Sequence, residues 1–262
     1  IGARNQLKQF FEKSFVEEGI KYKEISIYSS PTRLTLAVKD LAEKIKIESK
    51  EIKGPKVGSP DQILQGFMKA KNISQNDLVE KETEKGKFYF IKTEPKNILV
   101  EELLILMLPK ALASISWKTS MKWSDHNLMW GRPLRAIFAL FNGSKITFQF
   151  DHLESVDEIV IEQDLVLKNK KVKNYKEYYS LLKSNNIVLD HNEREKIILK
   201  RFNTISKLKN YKENYNLKLL EEVVNIVEEP NILLVDFNKE YLKIPQEIII
   251  STLEKHQKYF PI

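Results

Sequence analysis

Two apolar periods run through this chain, and where each one dominates limits the folds open to it. In "EISIYSS" and "RLTLAVKDL" apolar and polar residues alternate one for one, the pattern of strands with one face buried. In "ARNQLKQFFEKSFVEEGI" the residues Leu7, Phe10, Phe11 and Phe15 recur at helical spacing instead, and Gly19 is placed to end that helix. Strand patterns concentrate before Asp151, where "KFYFIKT" and "KITFQF" join the first two. Beyond it "YKEYYSLLKSN", "HNEREKIILKRFNTISKL" and "LKLLEEVVNIVEE" all read as helices. The expectation is an α+β chain. Residues 1–151 form a strand-rich part with packed helices, and 152–262 form a mainly helical, Lys-rich region, with the boundary near "DHLESVDE".

Local signals refine this. Ser59 is placed to cap a helix with Pro60 in its first position and Gln62 completing a capping box, and "GPKVGSP" before it reads as a turn. That helix carries Ile63, Leu64, Phe67 and Met68 on one face. "VEELLILMLPKALASI" predicts a buried helix kinked at Pro109. Leu134, Ile137, Phe138 and Phe141 fit a helix starting at Pro133, although so continuous an apolar run also fits a strand. Asn142-Gly143 reads as a turn, Asp190 as an N-cap, "NILLVDF" as a short strand, and Pro245 as the start of a last helix.

Composition removes several kinds of chemistry. There is no cysteine, so disulfides, thiolate metal sites and a Cys nucleophile are excluded. The four histidines, His126, His152, His191 and His256, show no paired-ligand spacing, and no metal site is expected. The eight glycines form no phosphate loop or dinucleotide fingerprint. Glu221–Glu222 and Glu228–Glu229 are adjacent pairs, which do not face each other on a helix and make poor acid–base partners. No catalytic residue stands out. "LVEELLILMLPKAL" is too short and too acidic to span a membrane, and a cytoplasmic location is expected. The chain opens on Ile1 without Met and closes on "KHQKYFPI", which suggests part of a longer protein. Lys and Arg number 43 against 36 Asp and Glu, a formal net charge of +7, and this favours a polyanionic partner.

One stretch combines the features such a partner would need. "SMKWSDHNLMWGRPLR" holds two of the three tryptophans and a Gly-Arg-Pro-x-Arg knot. Around it Lys118, Lys122, Arg132 and Arg135 supply cations, and Trp117, Trp123 and Trp130 supply flat faces. Cations neutralise phosphates, and a tryptophan can stack on an unpaired base for about 1–3 kcal/mol. The same residues would equally serve as a packing hub, with the tryptophans in the core and the arginines on carbonyls or carboxylates such as Asp125. A fainter echo lies upstream. "SPTRLTLAV" and "GRPLRAIFAL" both set a Pro two residues before an Arg and an apolar run after it.

These segments also carry a resemblance. "TSMKWSDHNLMWGRPLRAIFALFNG" is similar to the "KSMRW…RPIRW" element of the beta subunit of bacterial glycyl-tRNA synthetase. "IYSSPTRLTLAVKDLAEK", "EIKGPKVGSPDQILQGFMKAKNIS" and "ISTLEKHQKYFPI" resemble further elements of that family, in the same order along nearly the whole chain. The family's opening segment is reduced here to "IGAR", and a "GHRF"-like element is missing after "SKITFQFDHLES". Chain breaks are therefore expected between Gly2 and Ala3 and between His152 and Asp164. The resemblance implies a class II, alpha2-beta2 enzyme whose alpha subunit uses ATP with Mg to activate glycine. The beta subunit binds tRNA(Gly) without catalysing and without a cofactor of its own, so this portion alone is expected to be inactive. The RNA-contact candidates are Arg33, Lys118, Lys122, Trp123, Arg132, Arg135, Lys255, His256 and Lys258. The alternatives are an aminoacyl-tRNA editing-like domain, or a structural module that docks the alpha subunit.

Overall fold

The computed structural model describes residues 2–47, 51–71, 73–83, 86–92, 95–163, 166–211 and 215–261. Their Cα packing divides the chain into a larger unit, Ile1–Leu41 with Leu104–Ile262, and a smaller one, Ala42–Leu103. The change of texture near Asp151 falls inside the larger unit. Strands occupy much of the first 170 residues and helices follow, so the chain is α+β.

Helix α1 (Gly2–Glu17) opens the larger unit and buries Leu7, Phe11 and Phe15 against the hairpin of β1 (Glu24–Ser29) and β2 (Leu34–Lys39). Each buried phenylalanine contributes about 1.5–3 kcal/mol. Gly19 ends the helix as expected. At φ +67° it lets the Gly19 N–H reach Val16 O at 3.2 Å and the Ile20 N–H reach Phe15 O at 2.8 Å, which together make a Schellman closure. The hairpin is antiparallel from Glu24↔Lys39 to Ser29↔Leu34, the register that its alternating pattern requires.

In the smaller unit, β3 (Lys44–Ile47) pairs with β7 (Lys96–Leu99). There β4 (Glu51–Lys56), β5 (Leu78–Thr83) and β6 (Gly86–Lys92) form an antiparallel sheet in the order β4-β6-β5. Helix α2 (Asp61–Lys71) lies on β4. A Cβ on Gly54 would stand 2.8 Å from the Phe67 ring, so glycine permits this contact. The stretch expected as a turn is thus partly strand, because Gly54 and Pro55 occupy a register shift in β4 and the turn begins at Val57. The Ser59 hydroxyl turns back to donate to Lys56 O at 2.6 Å, and the Pro60 carbonyl accepts the first helical N–H groups.

Helix α3 (Val100–Ala113) runs through Pro109. After it come short strands: β8 (Met121–Lys122), β9 (Met129–Trp130), β10 (Ile137–Phe138), β11 (Leu140–Phe141), β12 (Ser144–Lys145), β13 (Gln149–Phe150) and β14 (Leu153–Val156). No helix starts at Pro133. The run is drawn into strands because β10 pairs in parallel with β14, and because Asn142 (φ 49°) and Gly143 (φ 82°) turn β11 back onto β12. "KITFQF" is a strand interrupted at its middle, where the buried Ser155 hydroxyl takes the Phe148 N–H at 3.0 Å and donates to Ile146 O at 2.6 Å.

The hairpin of β15 (Glu158–Gln163) and β16 (Val166–Lys171) packs Ile159 and Ile161 on Tyr178 and Leu182 of α4 (Tyr175–Ser184). The expected chain breaks are not found. Helix α1 contains both Gly2 and Ala3, and the backbone from Leu153 to Gln163 passes directly from β14 into β15, whose pairing with β16 begins at Glu158↔Lys171; Asp164 lies outside the described residues. Helix α5 (His191–Lys209) is capped by Asp190, as predicted, and packs Ile198 on Leu220 and Val224 of α6 (Leu217–Ile226). Residues 231–237 form no strand, contrary to their pattern, and no edge among the described residues pairs with them. Helix α7 (Gln246–Thr252) begins after Pro245 and ends in a π-helical turn, Leu253–Gln257.

Candidate nucleic-acid interface

The two Pro-Arg motifs meet in space. The Arg132 guanidinium donates to Pro31 O at 3.2 Å, joining the knot to the loop between β1 and β2 across 101 positions of sequence. Between and around them lies an open groove of about 2100 Å³ within the larger unit. That exceeds the ~300–1000 Å³ of an ordinary small-molecule pocket. One wall is residues 30–33, another holds Trp117, Lys118 and residues 130–135, and Tyr175, Tyr178 and Phe138 also line it. Six Lys and Arg against four Asp and Glu face it among the described residues, so its electrostatic balance is positive.

The cations are not equivalent. Arg33 is largely enclosed and committed. It donates to both Glu228 oxygens at 3.0 and 3.2 Å and to Val160 O at 2.7 Å. Glu228 also accepts from the hydroxyls of Ser30 and Thr32. Burial alone would raise the Glu228 pKa, but those two hydroxyls and the charge of Arg33 outweigh it and hold the carboxyl below its usual range. Arg33 is therefore the fastener of one groove wall rather than an open anion site. Among the described residues, exposed Lys118 and Arg135 pair with no carboxylate, and exposed Arg132 has only its carbonyl bond. With exposed Lys173 on the same groove, whose ammonium is also without a carboxylate partner among the described residues, these are the groove cations able to meet a phosphate.

The tryptophans mostly pack. Trp130 is 7% exposed, lies 4.9 Å from Trp117 centroid to centroid, and meets Phe150 edge-on. Gly131 in the knot has a steric reason: a Cβ there would come within 2.5 Å of the Trp117 ring. Trp123 is half-buried, and its indole N–H donates to Trp130 O at 2.9 Å, which ties β8 to β9. Lys122 bonds Asn127 Oδ1 at 3.0 Å. Neither Lys122 nor Trp123 lines the groove. Lys255, His256 and Lys258 lie elsewhere. The first two are exposed on the π-helical turn, and Lys258 is bound to Glu222 at 2.8 Å.

The groove also contains residues that sequence patterns did not single out. Tyr178 bonds Thr35 through its hydroxyl at 3.0 Å and stacks on Phe138, and burial raises its pKa. Tyr175 stacks parallel to Tyr28. Both tyrosines were visible only as part of a Lys-Tyr helix, and Glu228 only as half of an adjacent carboxylate pair. Among the described residues no three His, Asp or Glu side chains converge as a metal site would, and no helix is long and apolar enough to cross a membrane.

Comparison with known proteins gives one family. Residues 2–262 match the model described as glycyl-tRNA synthetase beta subunit. Among curated proteins, the glycine–tRNA ligase beta subunit of Rickettsia akari (strain Hartford) is 32% identical over 252 residues, 95% of this chain and 38% of that protein. The one from Clostridioides difficile (strain 630) is 31% identical over 264 residues, 98% of this chain and 38% of that protein. The chain thus spans well under half the length of these relatives. With the ordered motifs from "SPTR" to "KHQKYF" and a match over nearly every residue, the chain belongs to the glycyl-tRNA synthetase beta subunit family.

Proposed function

We propose that this segment is a non-catalytic tRNA-binding part of a glycine–tRNA ligase beta subunit, working with an alpha subunit that joins glycine to its tRNA at the expense of ATP. The observation that carries this reading is the groove where Lys118, Arg132 and Arg135 stand exposed within one positive wall. RNA binding needs cations free to displace counterions from phosphates, and these side chains are held at their backbones while their charges remain open. Trp117, Trp123 and Trp130 act as the scaffold that sets the wall. Base stacking falls instead to the groove tyrosines, of which Tyr175 is the more exposed. Lys255 and His256 would form a separate contact.

The test is a titration of glycine tRNA against this chain over a salt series. Replacing Arg135 with Ala should weaken binding and lower the slope of log affinity against log salt by about one. It should leave thermal stability within about 0.5 kcal/mol, as exposed substitutions usually do. Unchanged RNA affinity with a lowered melting temperature would retire the RNA contact in favour of a packing role.

A further inference from the structure

A run of exposed apolar residues lies far along the chain from the groove motifs, in residues 231–248. Leu233 is 74% exposed, Val235 63% and Leu242 64%, and Phe237, Tyr241 and Ile248 are each about half or more exposed. Single exposed apolar residues are ordinary, but a run of them marks an interaction surface. This run is not a frayed end. It is pinned on one side by Ile232 and on the other by Phe260, both packed on the cluster of Ile198, Leu220 and Val224, with Phe260 edge-on to Phe202 at 5.9 Å. Asn216 also bonds Glu254 at 3.0 Å, beyond the run. The segment is thus held in place while its apolar side chains face water.

Its chemistry narrows the occupant. "ILLV" is a continuous apolar run, the pattern of a strand buried on both faces. Leu233, Val235 and Phe237 would fall on one face of a strand and Leu234 on the other, and all four are exposed. The last backbone bond leading into it joins the Val188 N–H to Glu228 O at 2.9 Å, and residues 231–237 form no ladder among the described residues. Residues 231–248 hold two lysines against three acidic side chains, so a polyanion has nothing to bind here. A neighbouring strand supplies the backbone hydrogen bonds at its edge, and the layers packed on that sheet cover its two faces.

We infer that residues 231–237 are a sheet strand completed by a β-strand of the same beta-subunit polypeptide from outside these 262 residues. The relatives have further chain that could supply it, since this chain matches 38% of their length. A covering strand in the same polypeptide acts at high effective concentration and needs no separate encounter.

Hydrogen exchange read by mass spectrometry tests this on the 262-residue chain and on the full-length Clostridioides difficile beta subunit, prepared without alpha. Amides 231–237 should exchange freely in this chain, and the matching peptide should exchange at least roughly 100-fold more slowly in the full-length subunit. Three results would overturn the inference. One is protection that appears only when the alpha subunit is added. Another is protection in the 262-residue chain that grows with its concentration, which would mean a second copy. The third is protection in this chain at every concentration, which would mean the segment is already covered. A paired substitution, Leu233→Lys with Val235→Lys, should leave the melting temperature of this chain unchanged, whereas the matching pair in the full-length subunit should remove the protection. Equal destabilisation of the shorter chain would also overturn it.

Discussion

Replacing Arg194 with Met should damage this fold more than its place in a Lys-Arg-rich helix suggests. Its side chain is fully buried on α5 and reaches three separate parts of the larger unit. Nε donates to Val224 O at 2.9 Å in the last turn of α6, and Nη1 donates to Val188 O at 2.6 Å and to Leu189 O at 2.9 Å in the connection before α5. Nη2 donates to Ser29 O at 2.6 Å at the end of β1. Methionine keeps the apolar stem and removes every donor. The bonds to Val224 and Leu189 are fully buried, while those to Val188 and Ser29 lie where water can enter. Two stranded buried carbonyls cost about 1–3 kcal/mol each. Relief from burying the guanidinium offsets part of that, since the charge itself is removed with the side chain. The net loss is about 2–4 kcal/mol, which lowers the melting temperature by roughly 5–12 °C for a unit of this size. Calorimetry of Arg194→Met beside Arg201→Met, an exposed arginine on the same helix, gives the comparison. A shift for Arg194→Met no larger than that of the control would refute the account.

Other expectations follow from single contacts. Gly131→Ala should destabilise by about 1–3 kcal/mol, because the Trp117 ring must move from a 2.5 Å approach; an unchanged melting temperature and tryptophan fluorescence would show that the ring has room. Glu228 has its folded pKa depressed by Ser30, Thr32 and Arg33 against the effect of burial, so its contribution is complete above the unfolded carboxylate value of about 4.3 and is lost as pH falls through the lower folded value. The stability difference between the wild type and Glu228→Gln should therefore shrink on acidification below that range; a constant difference would show that the carboxylate charge contributes nothing. His191 has its pKa lowered chiefly by burial and secondarily by Arg4, so stability should also decline as pH falls below about 6.5, and His191→Gln should flatten that decline in pH-dependent melts.

Local and short-range features could be read from the sequence alone. Alternation gave β1 and β2 because a two-residue period buries one face in only one register. Gly19 and Asp190 marked helix ends because a left-handed closure and a side-chain cap need only neighbouring residues. The ordered motifs carried family membership in the same way, since they are strings rather than shapes. Tertiary structure decided everything that depended on a distant partner. The apolar run after Pro133 became β10 and β11 because β14 and the Asn142-Gly143 turn offered it ladders that an isolated helix period could not reveal. The similar run at residues 232–235 pairs with no edge among the described residues and stayed irregular. Arg33, Arg132 and Arg194 looked alike as cations. Folding made one a fastener to Glu228 across 195 positions, left one open beside the groove, and buried the third on four carbonyls. Charge and hydropathy are written residue by residue, but whether a charge meets water, a carboxylate or a carbonyl is settled only when remote segments pack together.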